Sequence, residues 1–125
     1  MIAIVDYGLG NLFSVQRATR YLGFDPMISS DPKILSQASK LILPGVGAFG
    51  DGMKELTQRQ LIPTLMDFAS SGKPMLGICL GMQLLAERGY EGGERSGLGM
   101  VPGEVRMLVS DGPRSRIPHM GWNEV

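Results

Sequence analysis

The sequence predicts an α/β fold in which a doubly wound, mostly parallel sheet carries helices on both faces. The continuous apolar runs in "IAIV", "KLILPG" and "PMLGI" are each followed by a stretch of helical pattern. Unbroken apolar runs are typical of strands buried on both faces, and alternation with helices favours parallel pairing through right-handed crossovers. In such folds, functional sites lie at the carboxyl ends of the strands.

The first half of the chain contains five predicted elements. In chain order they are a strand over residues 2–5, a helix over 11–23, a weak strand in "PMISS", a helix over 31–38 and a strand in "KLILPG". Asn11 and Asp31 are suitable N-cap residues, and Pro32 suits the first turn of a helix. Gly23 is expected to end the first helix.

The second half adds one long helical pattern, two further strands and a helix between them. A helix is predicted from about Met53 to Ser71, and Pro63 should kink or split it because proline removes a backbone donor. The fourth strand is "PMLGI", and "GMQLLAERG" is predicted as the helix after it. A more alternating pattern predicts a strand of different exposure over Glu104 to Ser110.

Composition limits the classes of function. The 125 residues form one expected domain, and 12 basic residues balance 12 acidic ones, so no nucleic-acid or membrane partner is expected. The chain has one cysteine, no signal-peptide pattern and no apolar run near the length of a membrane helix. These features predict a soluble cytoplasmic protein, and no metal or cofactor is expected.

The single cysteine, Cys79, lies in the segment "GICLG" at the end of the fourth strand. This pattern parallels the G-x-S-x-G nucleophile elbow, in which glycines let a strand turn sharply into a helix and present the central side chain. A helix N-terminus there would favour the thiolate form. From this pentapeptide alone, a reactive nucleophile and an ordinary buried thiol are equally good interpretations.

Two other glycine-rich turns follow buried strands. The amides near Gly45 and Gly47 in "PGVGAFGDG" could bind an anion or a tetrahedral oxyanion, although a purely structural turn is the commoner role. The Gly-Lys-Ser/Thr of a phosphate loop does not follow them. The turn "DYGLGN" has Phe13 where a dinucleotide-binding fingerprint has its third glycine, which disfavours a Rossmann site.

Together these segments resemble a known family. "GICLGMQLL" and "PGVGAFG" are similar to the core of the class I (triad) glutamine amidotransferases. "IVDYGLGNLFSV" and "PHMGWNEV" narrow the resemblance to the glutaminase subunits of imidazole glycerol phosphate synthase in histidine biosynthesis. The resemblance implies that glutamine is hydrolysed to glutamate and ammonia through a cysteine thioester. Ammonia would then pass to a (β/α)8-barrel cyclase partner in a heterodimer.

The resemblance also assigns roles to individual residues. Cys79 would be the nucleophile, and the backbone amides of Val46 and Leu80 would form the oxyanion hole, with a peptide flip in the "PGVG" loop as the activation step. The substrate-binding positions are Gly45, Gly47, Gln83 and Glu91. The positions that face the partner are Asn11, Pro118, His119, Met120, Gly121 and Trp122. His119 therefore belongs to the interface and is not expected to be the catalytic base, and Trp122 is expected at the interface more than in the core.

The sequence departs from the family in one respect. The His-Pro-Glu motif that supplies the base and its orienting carboxylate is absent from these residues, and the resemblance covers the N-terminal part of an incomplete domain. We therefore expect poor activity from this chain alone, and exposed apolar sheet surface that promotes association. Two alternatives stay open: another class I amidotransferase subunit, or a non-catalytic module that binds the partner.

Overall fold

Four parallel strands form the main sheet in the computed structural model, which describes residues 1–113 and 116–124. They are β1 (Ile2–Val5), β2 (Met27–Ser29), β3 (Lys40–Leu43) and β4 (Met75–Gly77), in the spatial order β2-β1-β3-β4. Ile4 pairs with Ile28 on one side and with Ile42 on the other. The predicted parallel α/β sheet is thereby confirmed.

In the described part of the chain, five helices connect or follow these strands. They are α1 (Leu12–Tyr21), α2 (Pro32–Gln37), α3 (Phe49–Gln58), α4 (Ile62–Ser70) and α5 (Leu80–Leu84). Asn11 caps α1 by accepting a hydrogen bond from the Ser14 amide at 3.2 Å, and Asp31 caps α2 by accepting one from the Lys33 amide at 2.8 Å. Both predicted N-caps are confirmed, because each side-chain oxygen satisfies an amide that lacks an intrahelical partner.

The predicted long helix from Met53 to Ser71 is two helices, and the first begins four residues earlier, at Phe49. The split was predicted, but its cause is different. Gln60 has a positive φ of 56°, and the Leu61 amide donates to the Leu56 carbonyl at 3.0 Å. This arrangement is a Schellman motif, which ends α3 before Pro63 is reached. Pro63 lies in the first turn of α4, where proline is tolerated.

A second, small sheet replaces part of the predicted last helix. The segment "GMQLLAERG" is helical only to Leu84, and its end forms β5 (Ala86–Gly89), which pairs with β6 (Arg95–Ser96) and β7 (Val101–Val105). The predicted strand from Glu104 to Ser110 was therefore placed too late. The amides of Leu98 and Met100 donate at 2.8 Å to the carbonyls of Leu84 and Leu85. In a longer helix, these two carbonyls would instead accept hydrogen bonds from amides further along α5.

The core lies on one face of the main sheet. Residues of the strands, including Val5 and Leu43, pack there against side chains from α2, α3, α4 and α5. The other face is covered by α1 and is more open: an apolar groove of about 300 Å³ includes Ile42 and Leu76, and Leu76 is 57% exposed. Helices on both faces are thus confirmed, and exposed apolar sheet surface is present. Association through that surface stays a prediction.

Candidate active site

Cys79 occupies a strained turn between β4 and α5. It is the N-cap residue of α5 and has φ 54° and ψ −117°, a backbone conformation rare for residues other than glycine. Its side chain is exposed. Strain of this kind persists only where the surroundings impose it, and it is concentrated at functional sites. The alternative of a buried thiol is wrong, because Cys79 is exposed, whereas its role as nucleophile stays a prediction.

The two flanking glycines are required by close backbone contacts. A Cβ atom on Gly77 would lie 2.6 Å from the Cα atom of Met82, and one on Gly81 would overlap the carbonyl oxygen of Leu43. Real Cβ atoms do not approach other atoms so closely, so only glycine fits either position. The predicted reason for the glycines of the elbow is confirmed.

The "PGVG" loop lies directly beside this elbow. Strands β3 and β4 are neighbours, and the Ile78 amide donates to the Leu43 carbonyl at 3.0 Å just where both strands end. A Cβ atom on Gly45 would be 3.0 Å from the Cβ atom of Leu80 and 3.1 Å from the Gly81 nitrogen. The structure therefore brings together two glycine-rich turns, "PGVG" and "GICLG", that are far apart in the sequence.

The two amides predicted to bind an oxyanion belong to these adjacent turns. Leu80 is the first residue of α5, and its side chain is buried, whereas Val46 is exposed in the loop. Within residues 1–113 and 116–124, neither amide donates a hydrogen bond to another protein group. An oxyanion hole needs amides without a protein acceptor, and its location at Val46 and Leu80 stays a prediction.

Gln83 and Glu91 line one cavity of about 310 Å³. Gln83 lies one helical turn beyond Cys79, since the backbone amide of Gln83 donates to the Cys79 carbonyl at 3.0 Å. The Glu91 carboxylate accepts a hydrogen bond from the Phe49 amide at 3.1 Å and so caps α3, directly after the "PGVG" loop. These two predicted substrate residues thus share a cavity, and both are linked to the turns of the site.

Sequence reasoning missed the other residues that line this cavity, among them Tyr90 and Arg106. Arg106 donates to Glu104 at 2.6 Å and 2.8 Å and lies 4.8 Å from the centre of the Tyr90 ring. The hydrogen bonds from Arg106 lower the pKa of Glu104. No motif marks these residues, because they reach the cavity through the pairing of β7 with β5.

Another missed residue is Tyr7, which is completely buried at the end of β1. Its hydroxyl donates to the Pro44 carbonyl at 2.6 Å. The only signal in the sequence was its position in "DYGLGN", next to a glycine turn. That turn contacts the "PGVG" loop, since a Cβ atom on Gly10 would lie 3.3 Å from the Cα atom of Gly45.

The predicted partner-facing residues are exposed. Asn11 caps α1 at the surface, and the segment that contains Pro118, Met120 and Gly121 lies outside the helices and strands. Trp122 is completely exposed, so the alternative of core packing is wrong. Val125, the last residue of "PHMGWNEV", lies outside the described residues.

His119 is exposed, and its Nε2 atom lies 2.7 Å from the side-chain amide nitrogen of Asn123. Within the described residues, the structure gives it no hydrogen bond to Cys79.

Comparisons with known proteins agree with this geometry. The family model for "Glutamine amidotransferase class-I" matches residues 3–124. The imidazole glycerol phosphate synthase subunit HisH of Lacticaseibacillus casei is 56% identical over 98% of this chain and 59% of its own length. The corresponding subunit of Listeria monocytogenes is 50% identical over all of this chain and 60% of its own length. The chain thus spans about three-fifths of the length of these curated relatives.

One solved structure supports the fold. A crystal structure of a glutamine amidotransferase superposes with a TM-score of 0.72 over 85% of this chain and 56% of that chain, at 20% identity. None of the helices in the described part of this chain is long and apolar enough to cross a membrane. The cytoplasmic location stays a prediction.

Proposed function

Since this chain belongs to the class I glutamine amidotransferases, we propose that it is the glutaminase subunit of imidazole glycerol phosphate synthase, acting in histidine biosynthesis. The relatives at 50–56% identity carry the name of that subunit. The observation that carries the proposal is the elbow. An exposed cysteine with φ 54° stands between two glycines that allow no side chain and beside a second glycine turn.

In the proposed reaction, the Cys79 thiolate attacks the side-chain amide carbon of glutamine and forms a C–S bond. The carbonyl oxygen becomes an oxyanion, which the free amides of Val46 and Leu80 stabilise. When this intermediate collapses, the C–N bond breaks, and the nitrogen takes a proton and leaves as ammonia. Water then attacks the thioester, the C–S bond breaks, and glutamate and the thiol are released.

The cavity beside the elbow suits the amino-acid end of glutamine. The Glu91 carboxylate offers a charge for the substrate ammonium, and Gln83 offers an amide that can donate and accept hydrogen bonds. The Glu91 oxygen that caps α3 also ties the cavity to the loop with Gly47. Substrate binding at Glu91 would therefore affect the position of the loop that carries the proposed oxyanion hole.

Proton transfer is the step that these 125 residues do not provide. Their one histidine, His119, is exposed and paired with Asn123. Without a positioned base and acid, hydrolysis is expected to slow by ~10²- to 10⁴-fold. We therefore expect residues 1–125 by themselves to bind glutamine and form the thioester slowly, with poor turnover. Another class I amidotransferase subunit stays the second enzyme hypothesis.

The partner in this proposal is a (β/α)8-barrel cyclase that receives the ammonia. Asn11 and residues 118–122 would form the contact surface, and the complete exposure of Trp122 supports this assignment. Exposed aromatic side chains often dominate the energy of protein interfaces.

Labelling of Cys79 tests the proposal. A chloroketone analogue of glutamine should alkylate the natively expressed protein at this one position, with loss of chloride, and glutamine should protect it. Mass spectrometry would report the site, and Cys79→Ala is the control that should not react. Ammonia release, measured in parallel, should be slow for residues 1–125. If the analogue reacts no faster than a chloroketone without the amino-acid group, the non-catalytic module becomes the better explanation.

A further inference from the structure

Tyr7 presents a buried polar group directly beside the proposed active site. Its side chain has no exposed surface, and its hydroxyl donates to the Pro44 carbonyl at 2.6 Å. A buried hydroxyl requires a partner, and removing one partner leaves the other unsatisfied. This hydrogen bond joins the end of β1 to the first residue of the "PGVG" loop.

The hydrogen bond restricts one particular peptide group. The Pro44 carbonyl belongs to the peptide plane that precedes Gly45, and a fixed oxygen fixes the orientation of that plane. The Tyr7 hydroxyl also fills the space that a Cβ atom on Gly45 would occupy. On its other side, Gly45 packs against Leu80 and Gly81 of the elbow helix.

The loop is much less restricted two residues later. Val46 is 55% exposed, and apart from its chain neighbours none of the described residues has an atom within 4 Å of the place where Gly47, with φ 113°, would carry a Cβ atom. The loop thus has a fixed beginning, held by Tyr7, and an open continuation. The amide of Val46 lies where the two parts meet.

We propose that Tyr7 is a positioning residue for the oxyanion hole: its hydroxyl holds the Pro44–Gly45 peptide and so fixes the start of the turn that carries the Val46 amide next to the elbow. This inference rests on the proposed function. Tyr7 does not touch the substrate in this account, and it acts only through the backbone of the loop.

The ionisation of Tyr7 supports this role. Burial raises the pKa of the Tyr7 hydroxyl, and the negative charge of a Cys79 thiolate raises it further. The hydroxyl therefore stays protonated throughout the neutral range. It remains a donor to Pro44 while Cys79 carries the charge needed for attack.

Tyr7→Phe, with Tyr21→Phe as a matched control, separates positioning from general stability. Tyr21 is 91% exposed, so loss of its hydroxyl should change nothing. In the natively expressed protein, the maximal rate of alkylation by the chloroketone analogue of glutamine should fall about 5- to 30-fold in Tyr7→Phe, less than the ~10²- to 10³-fold effect of losing an oxyanion donor completely. The concentration for half-maximal rate should stay within about twofold, because the substrate cavity is unchanged.

Alkylation by iodoacetamide, which forms no oxyanion, should proceed at the same rate in all three proteins. A Tyr7→Phe protein whose maximal rate with the glutamine analogue equals that of wild type overturns this inference alone. If wild-type Cys79 is not labelled selectively, the proposed function fails, and this inference fails with it.

A measurement on the wild-type protein covers the case in which Tyr7→Phe does not fold. Nuclear magnetic resonance should detect a slowly exchanging Tyr7 hydroxyl proton at neutral pH, with a nuclear Overhauser contact to the α-protons of Gly45. A hydroxyl proton that exchanges rapidly would mean that Tyr7 does not hold the loop, and the inference would be wrong.

Discussion

Gly77 and Gly81 stand where the backbone of the elbow passes closest to its neighbours. The missing side chain of Gly81 leaves room for the carbonyl oxygen of Leu43, at the end of the adjacent strand. That contact brings the end of β3, and with it the "PGVG" loop, against the first turn of α5. The chemistry proposed for Cys79 therefore depends on Gly81, two residues later, having no side chain.

Gly81→Ala should lower the free energy of unfolding by about 3 kcal/mol, because the new methyl group forces the elbow away from Leu43. Gly50→Ala is the matched control: Gly50 lies within α3, and the nearest atoms to its Cβ atom would belong to the flexible Arg95 side chain, at 3.4 Å or more. We expect Gly50→Ala to be neutral or to stabilise by up to ~1 kcal/mol. Urea unfolding of both variants would measure this difference, and equal midpoints would contradict the steric argument.

At the scale of elements, the break between α3 and α4 determines where the long helical pattern is divided. The Gln60 amide donates to the Thr57 carbonyl at 3.0 Å, and that of Leu61 donates to Leu56, as in a Schellman motif. Glycine is the usual residue at the position that Gln60 occupies, because a Cβ atom is unfavourable at φ 56°.

Gln60→Gly should therefore stabilise the protein by ~0.5 to 1 kcal/mol, since it removes the strain of a left-handed residue. Gln58→Gly, two residues earlier at the end of α3, should destabilise it by up to about 1 kcal/mol. Thermal unfolding of both variants would show whether the two changes in stability have opposite signs. Destabilisation by both substitutions would mean that Gln60 makes contacts that outweigh its backbone strain.

At the scale of the whole molecule, the proposed partner surface combines the start of α1 with the exposed segment after β7. Asn11 serves both as the helix cap and as a surface residue, whereas Trp122 contributes the largest exposed aromatic side chain. Contact with the proposed cyclase partner would remove the apolar surface of Trp122 from water, and this burial would favour association.

Trp122→Ala should weaken binding to the barrel cyclase by at least about tenfold, because tryptophans that become buried in an interface are frequent hot spots. Tyr21→Ala removes another highly exposed aromatic residue, at the far end of α1, and should leave the affinity unchanged. Isothermal titration with the purified cyclase would give both dissociation constants. Similar affinities for the two variants would remove Trp122 from the proposed interface.

The sequence by itself determined the four parallel strands, the caps of α1 and α2, and the elbow around Cys79. These features depend on local signals: apolar runs, side chains that bond the nearest free amides, and glycines at a sharp turn. The family motifs added Val46, Leu80, Gln83 and Glu91 as candidates. The fold brings the turns with Val46 and Leu80 to one edge of the main sheet and places Gln83 and Glu91 on one cavity.

Only the tertiary structure decided where α5 ends, which residues line the cavity with Gln83 and Glu91, and which side chain bonds the first carbonyl of the "PGVG" loop. The helical pattern after Cys79 continues in the sequence, but β5 forms instead because the amides of residues 97–101 donate to the carbonyls of residues 84–87, at the end of α5 and the start of β5. Tyr7 and Arg106 reach the site through strand pairing and burial, over separations along the chain that no local pattern records. Contacts of this kind depend on the geometry of the whole fold, so their residues carry no distinctive spacing.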